Sequence, residues 1–286
     1  MNSKVIIILV AFIFFSSCKH ENSNGTNSKT KNVLEKVLET GKIRAAYTLY
    51  PPGCMQNKET GELYGIFVET IEKVGQEMNL EIEWVEPVGW GTQIEGLNND
   101  RYDILGSSVW ANPKRAKFAY LSDPLYYSPI SVFVRKDENR WNDIESWSIL
   151  NDSDIKISTI DGGTGEVIVR NNFPKATTIP LPQMTEFSQS FMDVVHKKAD
   201  LLLLEPYYGF KFLESNPNSI KDISKGKPLR MFGNCYMIKQ GEDELQKAIN
   251  VIVEDLHNSG FIEDLVKKYE EYPNTIVRVS KPYIIN

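Results

Sequence analysis

Short apolar runs of strand length alternate with stretches of helical period along most of this chain, which restricts it to α/β architectures with largely parallel sheets. The first element is a helix over Val33–Thr40 (VLEKVLET), with apolar residues at i, i+1, i+4 and i+5 and Gly41 as its stop. Residues 43–47 read as a strand, and Tyr50-Pro51-Pro52-Gly53 as a turn. A second turn at 60–65 opens a helix over 67–78, where Phe67, Ile71, Val74 and Met78 share one face. Residues 80–85 alternate as a strand, Gln93–Asn98 is expected to be helical, and 102–106 is a short apolar strand.

A second set begins near Ser131, with strands at 131–134 and 155–160 and a Gly-rich turn at 161–166 that opens a helix. A helix over about 186–197, the apolar run Leu201–Leu204 and a segment at Pro206–Ser215 follow. The chain closes on two amphipathic helices, 243–256 and 261–272, separated by His257-Asn258-Ser259-Gly260. No internal repeat is present. Two α/β units are legible, but their division along the chain is not.

Charge and composition remove several function classes. Lys and Arg number 32 against 38 Asp and Glu, a net charge of −6, so the basic face that neutralises phosphates is not indicated and nucleic acid is not an expected partner. Hydrophobic residues at 41% and charged residues at 24% exclude a mainly disordered chain and a multi-span membrane protein. Three Cys and three His, scattered, make no structural zinc site, and neither metal nor cofactor is expected.

Lys4 precedes eleven apolar residues, 5–15, and then Ser16-Ser17-Cys18. The run is too short to span a bilayer core as a helix and suits the apolar region of a secretory signal. Phe-Ser-Ser-Cys resembles a bacterial lipobox, with Phe15 where Leu or Val is usual; a signal without lipid or an uncleaved anchor is the alternative. Polar residues 20–32 (HENSNGTNSKTKN) read as a flexible tether behind a lipidated Cys18. The expected address is the cell envelope, with the body extracytoplasmic and lipid the only membrane contact. Export permits a disulfide between Cys54 and Cys235, and two separately buried thiols are the other reading.

The chain also carries an ordered set of short motifs. They are Tyr50-Pro51-Pro52; Gly61 to Glu69 (GELYGIFVE); Trp90-Gly91 through Leu97 with Tyr102-Asp103-Ile104; Asn112-Pro113-Lys114-Arg115 followed by residues 121–126 (LSDPLY); Gly162-Gly163-Thr164-Gly165-Glu166; and Asp200 through Glu205. In order and spacing these resemble the family 3 extracellular solute-binding proteins, the amino-acid receptors of ABC importers, over about residues 41–272. The resemblance implies a two-lobed type II periplasmic-binding-protein fold with two crossover hinge strands. Its division would be a signal peptide at 1–17, the lipidated Cys and tether at 18–31, lobe one at 32–126 and 232–286, and lobe two at 127–231. It also implies an amino acid or related zwitterion as ligand, an importer permease as partner, a monomer, and no catalytic residue.

A buried zwitterion needs both a cation and an anion on the protein. The planar fork of Arg115 matches a carboxylate bidentately. An Arg alone is usually a surface residue; at the family's carboxylate-clamp position it is expected in the site. Gly163 and Thr164 open a helix whose free N–H groups attract an anion, the plain alternative being Thr164 as an N-cap. Glu205 closes an apolar strand where the resemblance puts an ammonium-binding Asp, one methylene shorter. Ser108 fits a ligand-contacting hydroxyl position. Trp110 and Asn112 depart from the family's small hydroxyl residue and Thr. Tyr50, Trp90 and Trp110 form candidate aromatic walls suited to aromatic or cationic side chains, unless Trp90 and Trp110 fill core. Gln93 is a candidate side-chain contact. His196 and His257 have no partner set for catalysis or metal.

Two other readings compete. Cyclohexadienyl dehydratases share the fold and a similar Gly-rich turn, but their proton-donating Glu aligns with Tyr208, a poor acid at neutral pH. A sensory receptor presenting ligand to a separate membrane partner is the third.

Overall fold

The computed structural model describes residues 31–279, so the expected signal, Cys18 and nearly all of the tether lie outside the described residues. The order begins α1 (Val33–Thr40), β1 (Lys42–Tyr47), β2 (Met55–Gln56), β3 (Leu63–Tyr64), α2 (Ile66–Met78), β4 (Glu81–Pro87) and α3 (Gln93–Asn98). It continues β5 (Ile104–Trp110), α4 (Pro113–Ala116), β6 (Ala119–Leu121), β7 (Tyr126–Arg135), a 3-10 turn at Trp147–Leu150, β8 (Lys156–Ile160) and α5 (Thr164–Asn172). Then come β9 (Thr177–Leu181), α6 (Phe187–Val195), β10 (Leu201–Leu204), α7 (Pro206–Ser215), β11 (Ile220–Asp222), β12 (Arg230–Lys239), α8 (Asp243–Asn258) and α9 (Phe261–Tyr269).

Local chemistry explains the first elements. Asn32 caps α1 in a capping box with Glu35, and Gly41, at φ 72°, ends it in the left-handed conformation. The apolar face of α2, with Phe67, Ile71 and Val74 buried, covers the sheet as its periodicity predicts.

Ten strands form one sheet, ordered β4-β1-β5-β12-β7-β10-β8-β9, with β6 on β12 and β11 on β7. Its flanks are parallel, as expected: β1 pairs with β4 and β5, and β8 with β9 and β10. The middle is not. β12 runs antiparallel to both β5 and β7, because the chain leaves the first half of the sheet along β7 and returns along β12. The divisions expected at 127 and 232 fall within these two strands.

The cores separate in the same way. One joins Val33, Ile43, Phe67 and Tyr126 to Tyr236, Ile249 and Val266. A smaller one under α3 includes Leu97, Tyr102 and Met237. Another gathers Ile130, Ile157, Phe191 and Leu202, and also takes in Tyr50 and Trp110 from the opposite half. No helix among the described residues is long and apolar enough to cross a membrane. Cys54 and Cys235 are buried free thiols, and burial raises each to about 12.

Candidate functional site

The C-terminal ends of β5, β8 and β10 face one another across a cavity of about 60 Å³. Sites in α/β sheets form outside these strand ends. Tyr50, Trp90, Ser108, Trp110 and Arg115 line one side, and Gly163 and Thr164 the other.

The loop carrying Tyr50 is held by its own backbone: the Tyr50 N–H donates to Cys54 O at 2.8 Å, and the Cys54 N–H to Tyr50 O at 3.0 Å. The first N–H groups of α2, which lack helical partners, donate to the same loop, Ile66 to Pro52 O (3.2 Å) and Phe67 to Gly53 O (2.8 Å). Gly65 makes this approach possible. Its φ is +125°, and a Cβ there would stand 2.7 Å from both of those carbonyl oxygens.

Asn112-Pro113-Lys114-Arg115 folds as a single helical turn, α4, because Asn112 Oδ1 accepts from the Arg115 N–H at 3.0 Å and Pro113 occupies the first helical position. Asn112 thus supplies the N-cap function of the Thr it replaces. The Arg115 guanidinium is buried, donating through Nη1 to Trp110 O (2.9 Å) and Thr164 Oγ1 (3.1 Å) and through Nη2 to Gln93 Oε1 (3.4 Å). None of these partners is charged. Burial lowers its pKa to about 10, so it remains a cation at neutral pH. Thr164 opens α5 at its first helical position, and Gly163, not Thr164, is the N-cap, without a side-chain capping bond. The free N–H groups of that turn and the helix dipole favour an anion beside Arg115.

Glu205 is the N-cap of α7 and 4% exposed. Its Oε1 accepts from the Tyr50 hydroxyl and, at 3.1 Å, from Trp110 Nε1. Oε2 has no bond of good geometry, although Ser128 lies close enough to favour the ionised form. Desolvation dominates and raises the carboxyl to about 7. Glu205 does not itself line the cavity; Tyr50 and Trp110, which do, stand bonded to it.

The aromatic residues pack chiefly on one another. Trp110 stacks on Phe232 at 5.0 Å with an interplanar angle of 2°, and Tyr50 meets Trp90 edge-on at 5.3 Å. Ser108 Oγ donates to Asn234 Oδ1 at 2.5 Å, and Asn234 Nδ2 donates to Ser128 Oγ at 2.8 Å, a polar chain at the crossing of β7 and β12. Gln93 falls outside the cavity lining. Its amide donates to Thr48 Oγ1 (3.0 Å) and accepts from Arg115, so it braces the guanidinium from behind. Sequence reading misses Asn234, Ser158, Thr159, Phe187 and Ser190. Two adjacent hydroxyl residues inside a short strand, next to the Gly-rich turn, are the available signal for Ser158 and Thr159.

Backbone meets backbone beside the cavity, next to its lining residues Trp90 and Gly163. Gly162, at φ +73°, approaches so closely that a Cβ would lie 2.8 Å from the N and Cα of Gly91. Gly162→Ala should therefore oppose this juxtaposition, weakening ligand binding by about 1–3 kcal/mol, the usual cost of overpacking. Calorimetry together with small-angle scattering checks this: the liganded variant should remain more expanded than liganded wild type. Equal radii and equal affinity would show that the Gly162–Gly91 approach does not govern ligand binding.

Residues 43–272 match the family model for bacterial extracellular solute-binding proteins, family 3. A Haemophilus influenzae protein described as a "probable amino-acid ABC transporter-binding protein" is 23% identical over 272 residues, covering 94% of this chain and 96% of that one. Cyclohexadienyl dehydratase of Pseudomonas aeruginosa is 26% identical over 241 residues, covering 84% and 86%. Among solved structures, an ancestral amino acid-binding protein, a precursor of cyclohexadienyl dehydratase, superposes with a TM-score of 0.70 at 22% identity, covering 84% of this chain and 99% of that one, a likeness of fold. The match spans nearly the whole described body of the protein, which belongs to the family 3 bacterial extracellular solute-binding proteins.

Proposed function

We propose that this protein captures a free amino acid and delivers it to an ABC importer, from an extracytoplasmic position held by lipid on Cys18. Arg115 carries the reading. A buried guanidinium with no carboxylate partner is costly to maintain, and a ligand carboxylate removes that cost. Three of its five N–H groups are engaged, which leaves donors for an incoming anion. Thr164 and the first turn of α5 complete the carboxylate site, with Ser108 beside it.

The ammonium is balanced by Glu205. In the free protein the Tyr50 hydroxyl satisfies that carboxylate; on binding, the ammonium takes the place the hydroxyl holds. The related proteins named for amino-acid binding support the reading, as does the geometry at Tyr208, where a dehydratase-like acid would be needed. Tyr208 is buried, its hydroxyl donates to Pro51 O at 2.9 Å, and burial raises its pKa well above the usual phenol value.

A thermal-shift screen of the twenty amino acids on the purified protein tests the reading. A true ligand at a hundred times its Kd adds about 2.7 kcal/mol of stability. No shift with any amino acid, or turnover of added prephenate or arogenate, would replace the binding assignment.

A further inference from the structure

The cavity contains polar groups that neither charged end of the ligand uses. Ser158 and Thr159, consecutive in β8, are 5% and 4% exposed, line the cavity, and leave their hydroxyl oxygens without a hydrogen-bond partner. Ser190 of α6, 4% exposed, lines the same cavity. Their surroundings there are apolar: Ser158 is the register partner of Leu202, with Ile160, Phe187 and Leu203 also in the lining. Buried hydroxyls are nearly always paired, and two orphans on consecutive residues of the cavity wall leave room for a partner from outside the chain.

Arg115 is the single charged side chain in that lining, and Glu205 is already held by Tyr50 and Trp110. A ligand bearing a second charge at its far end would bury it without a counter-ion, which is expensive. The committed face of Trp110 against Phe232 also removes one surface on which a cationic or aromatic tail would lie.

Building on the amino-acid reading above, we propose that the ligand is an amino acid with a small, uncharged, hydrogen-bonding side chain, a hydroxyl or an amide, seated on Ser158, Thr159 and Ser190. The carboxylate end remains at Arg115, and the side chain reaches the β8–α6 wall. The limited free space favours a short side chain over a long one.

Calorimetry on the purified protein tests this with serine, threonine, asparagine and glutamine against lysine, arginine, aspartate and glutamate. The tightest uncharged ligand should bind at least tenfold more strongly than any charged one. Two variants, Ser158→Ala and Thr159→Val, should each reduce the preference for that ligand over its apolar isostere (threonine over valine, asparagine over leucine, glutamine over methionine) by several-fold, with the isostere bound as before. A charged amino acid binding tightest overturns the proposal while leaving amino-acid capture intact. An unchanged isostere preference in both variants also overturns it, assigning the hydroxyls to water. Binding of no amino acid at all removes the reading beneath it, an outcome distinct from the other two.

Discussion

Arg115→Ala should weaken capture of an amino acid by roughly 2–5 kcal/mol, about 30-fold to several thousand-fold in Kd. The variant would leave the ligand carboxylate desolvated opposite Thr164 and the start of α5 with no cation. Gln93 Oε1, Trp110 O and Thr164 Oγ1 would each lose a donor as well. Arg115→Lys restores the charge without the planar fork and should fall between wild type and alanine. Calorimetry with the amino acid and with its desamino analogue makes the test specific, because both compounds carry the carboxylate and both should weaken. Unchanged affinity for either would remove Arg115 from the site.

Glu205 should make binding depend on pH near neutrality. Burial raises its carboxyl from 4.5 to about 7, so it is ionised above that value and neutral below. Only the anion balances a ligand ammonium. Affinity should therefore fall about tenfold between pH 8 and pH 6, following the ionised fraction of a group titrating near 7. The same shift acts with opposite sign on the free protein. Between about 4.5 and 7 the folded state binds a proton that the unfolded state does not, so this group's contribution to stability rises as pH falls. Glu205→Gln should remove the pH dependence and the preference for the amine over its desamino analogue. A Gln variant that keeps both would leave Glu205 a structural partner of Tyr50 and Trp110.

The helices Val33–Thr40 and Gln93–Asn98 are legible in sequence to the residue, because a one-sided apolar pattern and local end signals need no distant partner. β5 is legible only to Gly106 but extends to Trp110. Ser107 and Ser108 carry no apolar signal, yet both are fully buried: Ser107 Oγ accepts from the Thr48 N–H at 2.9 Å, and Ser108 bonds to Asn234. β12 escapes for the same reason. Gly233 and Asn234 interrupt its apolar pattern, and the burial of Asn234 depends on Ser108 and Ser128 from two other strands. Within the candidate site, Arg115 and Thr164 are recoverable because each sits in a local motif that fixes its backbone. The bracing role of Gln93, and the screen of Tyr50 and Trp110 over Glu205, arise only from contacts between distant segments.

The return of the chain along β12 has a consequence for the order in which the protein acquires its structure during synthesis. The core that unites Val33, Phe67 and Tyr126 with Tyr236, Ile249 and Val266 cannot close until the last of these residues has been made. The core around Ile157, Phe191 and Leu202 draws on an almost continuous stretch of chain that ends at Phe232 in β12, and its other buried members are Tyr50 and Trp110. At about 5–20 residues per second, the inserted half has a few seconds to fold before α8 and α9 are complete. The earliest described residues thus belong to the half that is completed last, and through that interval the part of α2 that packs on α8 and α9 stays uncovered.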